Sequence, residues 1–255
     1  MSEIVHGCPK VNNPDGKNVG LWPHVRNFAT TYNPCHGLRQ LTTMALKTLV
    51  KISNVTNLSD ARYCAGMGVD MLGFSMDTDS PDYVEPKKFA EIRGWLAGVQ
   101  IVGETRSTDP EAIEQLLEMY QPDLLQVDEA ALLPYLSTLG TSDKELRFIL
   151  RVDVAQLTLD QLDTLLQTGA ANADYVLLES NGPVNMEDEL KTLLQRRSTR
   201  YSILLGTGIS AENVHALLAE LSSVRGIALS GGIEEQPGNK EFGELMDILE
   251  AIEED

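Results

Sequence analysis

The feature that most constrains this chain is a short apolar run that recurs eight times, each separated from the next by about one helix. In order the runs are Leu49-Val50-Lys51-Ile52, Met71-Leu72-Gly73-Phe74, Gln100-Ile101-Val102-Gly103 and Asp123-Leu124-Leu125-Gln126-Val127. They continue with Phe148-Ile149-Leu150-Arg151-Val152, Tyr175-Val176-Leu177-Leu178, Ser202-Ile203-Leu204-Leu205 and Gly226-Ile227-Ala228-Leu229. Continuous short apolar runs read as strands buried on both faces, which is the signature of a parallel sheet covered by helices. Amphipathic stretches fill the intervals, several with a helix-start signal. Asn57-Leu58-Ser59-Asp60, Asp109-Pro110-Glu111, Thr158-Leu159-Asp160-Gln161 and Ser210-Ala211-Glu212-Asn213 each place a capping side chain ahead of a helical period. Eight βα units in so short a span predict an α/β chain closed as a compact (β/α)8 barrel of the TIM type. An open, doubly wound sheet is the alternative arrangement of the same units.

The segment before the first run has a different character. Residues 1–43 are rich in Pro, Gly and Asn and show no helical or strand period. They hold four basic and two acidic residues, whereas the remainder holds 16 basic and 36 acidic, within a total formal charge of −18. A boundary at Met44 is expected, with an irregular N-terminal extension over 1–43 and the barrel over 44–255. The extension also carries Cys8, His24, Cys35 and His36, but their spacing resembles no metal-ligand pair, and no metal or other cofactor is expected.

Bulk properties narrow the function. With 42% hydrophobic residues in 255, the chain can bury a sizeable core. Its strong negative charge argues against nucleic acid or an anionic membrane as a partner. Nothing approaches 18 consecutive apolar residues, and three cysteines make no disulfide framework, so a reducing cytoplasm is the expected setting. Oligomeric state is left open, with a homodimer among the arrangements.

Two glycine motifs point to a ligand. Gly206-Thr207-Gly208-Ile209-Ser210 follows the seventh run and Ser230-Gly231-Gly232-Ile233-Glu234 the eighth. Glycine lets backbone N–H groups approach an anion closely, and loops after the last two strands of such a barrel are a frequent phosphate site. Gly206, Thr207, Gly208, Ser230, Gly231 and Gly232 are therefore candidates for binding a small phosphorylated ligand. A tight βα turn is the competing explanation. Chemistry in a barrel sits at the C-terminal strand ends, which here hold Ser53 and Asn54, Ser75 to Asp82, Glu104 to Arg106, Asp128, Asp153 and Glu179.

Lys51-Ile52-Ser53-Asn54-Val55-Thr56, Asp60-Ala61, Gly68 to Phe74, Ser80-Pro81-Asp82-Tyr83-Val84, Leu125-Gln126-Val127-Asp128, Leu177-Leu178-Glu179 and Ser230-Gly231-Gly232-Ile233-Glu234 occur in this order. Together they resemble the phosphoribosylanthranilate isomerases of tryptophan biosynthesis over about residues 47–252. The resemblance implies an Amadori rearrangement, an intramolecular aldose–ketose redox step on a phosphorylated aminosugar. It places Glu179 at the position of the acid and Ser53 at the position of the base, where the family carries cysteine. It also puts Asp82 in place of a substrate-binding arginine and Asp128 near a missing histidine; Lys51, from the opening motif, and Asp153, from its strand end, are further substrate-pocket candidates. An unassisted serine hydroxyl is not ionised near neutral pH, and a positioned base is worth about 10²–10⁴ in rate. The only barrel histidine, His215, falls within a helix, and Cys64 reads as packing. Three readings stay open: an isomerase using other groups such as Asp128 or Asp153, an enzyme for a different phosphorylated metabolite, or a non-catalytic regulatory or scaffolding relative.

Overall fold

A computed structural model describes residues 46–139, 146–180, 188–230, 234–236, 239–240 and 243–253. The extension, Gly231, Gly232 and the loop residues 181–187 lie outside the described residues. Eight strands alternate with eight helices: β1 (Leu49–Ser53), α1 (Leu58–Gly66), β2 (Met71–Ser75), α2 (Pro86–Arg93), β3 (Gln100–Glu104), α3 (Pro110–Tyr120), β4 (Leu124–Val127) and α4 (Leu133–Leu136). Then follow β5 (Arg147–Asp153), α5 (Leu159–Thr168), β6 (Tyr175–Glu179), α6 (Asp188–Ser198), β7 (Ile203–Leu205), α7 (Val214–Glu220), β8 (Gly226–Ser230) and α8 (Gly243–Ala251). The strands pair in chain order and the barrel closes, β1 lying parallel to β8 from Leu49↔Gly226 to Ser53↔Ser230. A small antiparallel ribbon, β9 (Glu234–Gln236) with β10 (Asn239–Lys240), lies between β8 and α8.

Local sequence explains the helix starts. Asn57 accepts from the Asp60 N–H, Asp109 accepts from the Glu111 N–H ahead of Pro110, and Thr158 forms a capping box with Gln161. The Ser210 signal behaves differently. There the Asn213 side chain folds back, donating to Gly208 O and accepting from the Ser210 N–H, both at 2.9 Å. Residues 211–213 form a turn and α7 begins at Val214, because the capping side chain is committed to the loop, not to the first helical turn.

The strand entrances repeat one device. Asp70, Asp123 and Asp174 immediately precede β2, β4 and β6, and each accepts from a backbone N–H of the preceding strand: Val50 at 2.8 Å, Ile101 at 2.9 Å and Phe148 at 2.8 Å. These carboxylates staple the odd strand to the even one at the barrel's N-terminal rim.

Side chains alternate along a strand, so every second residue faces the lumen. One lumen layer is wholly apolar and buried: Met71, Val102, Leu124, Ile149, Leu177, Leu204 and Ala228. The opposite strand faces pack under the helices in a separate core that includes Val50, Ile52, Leu72, Phe74, Leu125 and Val176. Two residues beyond the apolar layer, toward the C-terminal strand ends, the lumen changes to Lys51, Gly73, Glu104, Gln126, Arg151, Glu179, Gly206 and Ser230. That alternation sets the position of the site.

Candidate functional site

Within this polar layer, Lys51 is fully buried, and its ammonium donates to Ser53 Oγ and to Glu104 Oε1. The pair meets across β2, and Gly73 makes this geometrically feasible. A Cβ built there would lie 2.0 Å from Glu104 Oε1 and 3.1 Å from Lys51 Nζ. The second oxygen of Glu104 accepts from the Asn54 N–H at 3.3 Å. Asn54 holds a left-handed backbone (φ 58), a conformation asparagine tolerates better than most residues.

On the other side of the lumen Arg151 is the organiser. Its Nε donates to Asp128 Oδ1 at 2.7 Å and its Nη2 to Asp128 Oδ2, while Nη1 lies 3.5 Å from Glu179 Oε2. The fork engages both oxygens of Asp128, a geometry lysine could not reproduce. The Asp128 hydrogen bond raises the guanidinium's proton affinity despite its partial burial. Burial pushes the Glu179 carboxyl above its ordinary range; Lys51 and Arg151 oppose that shift and Glu104 reinforces it. A carboxyl held this way can carry a proton for donation at pH values where a solvated one has lost it.

The layer floors a cavity of about 260 Å³ at the C-terminal strand ends. Ser53, Ser75, Gln126, Asp128, Glu179 and Arg151 are among its lining, with Gly206 and Ser230 on the β7–β8 side. The loop after β2 closes part of the wall: Asp77 accepts from Thr105 Oγ1 at 2.5 Å and from the Arg106 N–H at 2.7 Å. Of the residues expected from the sequence, the structure brings Ser53, Asp128, Glu179, Gly206 and Ser230 to one cavity and sets Lys51 directly beneath Ser53. Asp82 is not among the described lining residues, although its neighbours Ser80 and Pro81 are. Asp153 lies outside it as well, with its side chain accepting from the Ala155 N–H at the end of β5.

The glycines divide in role. The N–H of Gly206 donates to Leu178 O at 2.8 Å in the sheet, and a Cβ there would meet Glu179 Cγ at 2.7 Å. Gly206 thus gives Glu179 its space. Gly208 takes φ 71, the left-handed region that glycine adopts without strain. His215 is exposed on α7, and Cys64 is buried on α1. Among the described residues no group of three or more His, Cys, Asp or Glu is placed to hold a metal ion, and no helix is long and apolar enough to cross a membrane.

Sequence reasoning gave no site role to Gln126, which it took as part of a strand run and of a family motif, or to Arg151, which it took as a member of a strand run, and noted Glu104 only as a strand end. The signal was available: each stands two residues beyond an apolar lumen position (Leu124, Ile149 and Val102, respectively).

Comparison with known proteins gives the family. The family model for N-(5'-phosphoribosyl)anthranilate (PRA) isomerase matches residues 50–251. The N-(5'-phosphoribosyl)anthranilate isomerase of Natronomonas pharaonis is 27% identical over 215 residues, covering 80% of this chain and 97% of the relative. Among solved structures, monomers generated from the dimeric phosphoribosylanthranilate isomerase of Thermotoga maritima superpose with a TM-score of 0.62 at 21% identity, covering 80% of this chain and 98% of theirs. A phosphoribosylanthranilate isomerase in complex with reduced 1-(o-carboxyphenylamino)-1-deoxyribulose 5-phosphate gives 0.64 at 22% identity, with the same coverage.

Proposed function

This chain belongs to the N-(5'-phosphoribosyl)anthranilate isomerase family, and we propose that its barrel binds a phosphorylated sugar-type ligand without carrying out the family's Amadori rearrangement through Ser53. We take 44–255 as the binding barrel and 1–43 as an extension to it. In this reading Thr207, Gly208, Ser230, Gly231 and Gly232 form the phosphate end, with Gly206, its N–H held by Leu178, leading into it, and Ser53, Asp128 and Glu179 face the sugar. The family membership and the phosphorylated ligand held by a structural neighbour support the phosphate end.

The observation that carries the proposal is the hydrogen bond from Lys51 to Ser53. An ammonium is a donor with no acceptor capacity, so it can orient the hydroxyl but cannot take its proton. Of the other candidate bases, Asp153 lies outside the cavity lining and Asp128 has both oxygens on the Arg151 fork. A second reading is an enzyme for a different phosphorylated metabolite: Glu179 lines the cavity and its burial raises its proton affinity, which suits a carboxyl that donates to a ligand oxygen.

Thermal unfolding of the full chain in inorganic phosphate and in phosphoribosylanthranilate tests the binding claim. The melting temperature is expected to rise with ligand, by about 2.7 kcal/mol of stabilisation at a hundredfold excess over Kd, and Gly208→Asp should remove the rise. The absence of any shift with either compound would overturn it. The dimeric Thermotoga relative makes a homodimer the assembly to look for in the same preparations.

A further inference from the structure

A second and larger cleft, of about 800 Å³, lies at the strand entrances. Lys47 and Thr48 line it just ahead of β1, Arg225 just ahead of β8, and His215 and Leu218 from α7. Lys47, His215 and Arg225 are exposed, and none of them has a side-chain hydrogen bond or ion pair among the described residues. Elsewhere in the barrel Arg93, Arg151, Lys191, Arg196 and Arg197 each reach a carboxylate. In a chain of formal charge −18, three such donors gathered on one cleft without a counter-charge call for an anion from outside. Asp70 is the one carboxylate among the described lining residues, and its Oδ2 already accepts from the Val50 N–H at 2.8 Å.

The rest of the lining restricts what that anion is. Leu46, Leu49 and Leu218 are half-buried, and Val224 and Ile252 complete an aliphatic floor. An inorganic anion would leave this floor wet. An extended polyanion would meet the negative field of the whole chain, which is screened only beyond about 10 Å. A compact carboxylate on an aliphatic body satisfies both parts. Its two oxygens match the guanidinium fork of Arg225, and Lys47 and His215 supply further N–H donors. The cleft volume falls within the ~300–1,000 Å³ of sites for small organic ligands.

We infer that this cleft binds a small amphipathic organic acid, its carboxylate held by Lys47, Arg225 and His215 and its aliphatic body lying on Leu46, Leu49 and Leu218. The inference stands apart from the phosphate reading above, because the two cavities share no lining residue.

Backbone amide NMR of the full chain titrated with octanoate, acetate and 1-octanol tests it. Octanoate should produce saturable shifts at Lys47, Leu218 and Arg225, while acetate and 1-octanol bind more weakly, each lacking one half of the ligand. In the double variant Lys47→Gln, Arg225→Gln, octanoate should bind more weakly by about tenfold, since exposed charge pairs each contribute modestly. Both substitutions fall on exposed side chains, and circular dichroism checks that the variant is folded. Gly208→Asp, directed at the phosphate end, should leave octanoate binding unchanged, so the two readings fail separately. Octanoate shifts that are absent, or that fall outside the cleft, would overturn the inference. So would equal affinity in the folded double variant, or acetate or 1-octanol binding as tightly as octanoate. Shifts at these residues that follow protein concentration and not octanoate would assign the cleft to a second copy of the chain and overturn it as well.

Discussion

Two adjacent layers of the same lumen follow opposite rules. The lower one, Met71, Val102, Leu124, Ile149, Leu177, Leu204 and Ala228, is filled entirely by apolar side chains. The layer two residues above it holds Lys51, Glu104, Gln126, Arg151 and Glu179, with Gly73 and Gly206 clearing space for them. The strands and the alternation are identical, so backbone geometry does not create the difference. The lower layer closes the barrel, and the Asp70, Asp123 and Asp174 staples secure that end. The upper layer buries charge, which repays its desolvation only through tight pairing. A barrel built for stability alone has no reason to place charge there, which is why the upper layer is the candidate site.

Substitutions break this comparison in a definite order. The largest effect is expected for Glu104→Ala, which leaves Lys51 buried without its counter-charge and should cost about 3–5 kcal/mol in urea unfolding. The paired replacement Lys51→Met with Glu104→Leu should recover that loss and end neutral or more stable by about 1–4 kcal/mol. In the lower layer Leu124→Ala should cost about 2–5 kcal/mol through lost burial and the cavity it opens. Here no second substitution elsewhere in the polar layer should compensate, and that contrast separates packing from charge pairing. Gly73→Ala comes next, at about 1–3 kcal/mol of overpacking against Glu104, and the loss should shrink when residue 104 is shortened.

The smallest effect sharpens the comparison through pH. Because burial raises the Glu179 proton affinity in the folded state, its stabilising contribution is fully present below the ordinary carboxylate value. That contribution is lost as pH rises through the raised value. The stability of the wild type relative to Glu179→Gln should therefore fall with rising pH across that window and then level off. A difference that grows with pH would mean Glu179 is held as the ion.

The lower layer was legible in the sequence and the upper layer only in part, for a physical reason. Eight short apolar runs with caps such as Asn57, Asp109 and Thr158 specify strands and helices locally, and the closed parallel order follows from their number. The partners in the upper layer depend on which strands are neighbours. Lys51 meets Glu104 over Gly73, three strands in succession, and Arg151 reaches Asp128 and Glu179 on either side. Read along the chain, Lys51 and Arg151 are interruptions in apolar runs. Read around the barrel, they are the centres of two charge networks. Gly206 shows the same limit: a glycine after a strand suggests an anion loop, yet its missing side chain is what accommodates Glu179. The helix start was read at Ser210, but the Asn213 side chain turns back to Gly208 and Ser210, and α7 starts at Val214.

The central claim is that Lys51 holds Ser53 as a hydrogen-bond acceptor in the position where the reaction needs a base. The most direct test follows anthranilate fluorescence after freshly made phosphoribosylanthranilate is mixed with the folded full chain. The account predicts decay at the spontaneous rate, unchanged in Ser53→Ala. Turnover well above that rate in the wild type, lost in Ser53→Ala, would contradict it.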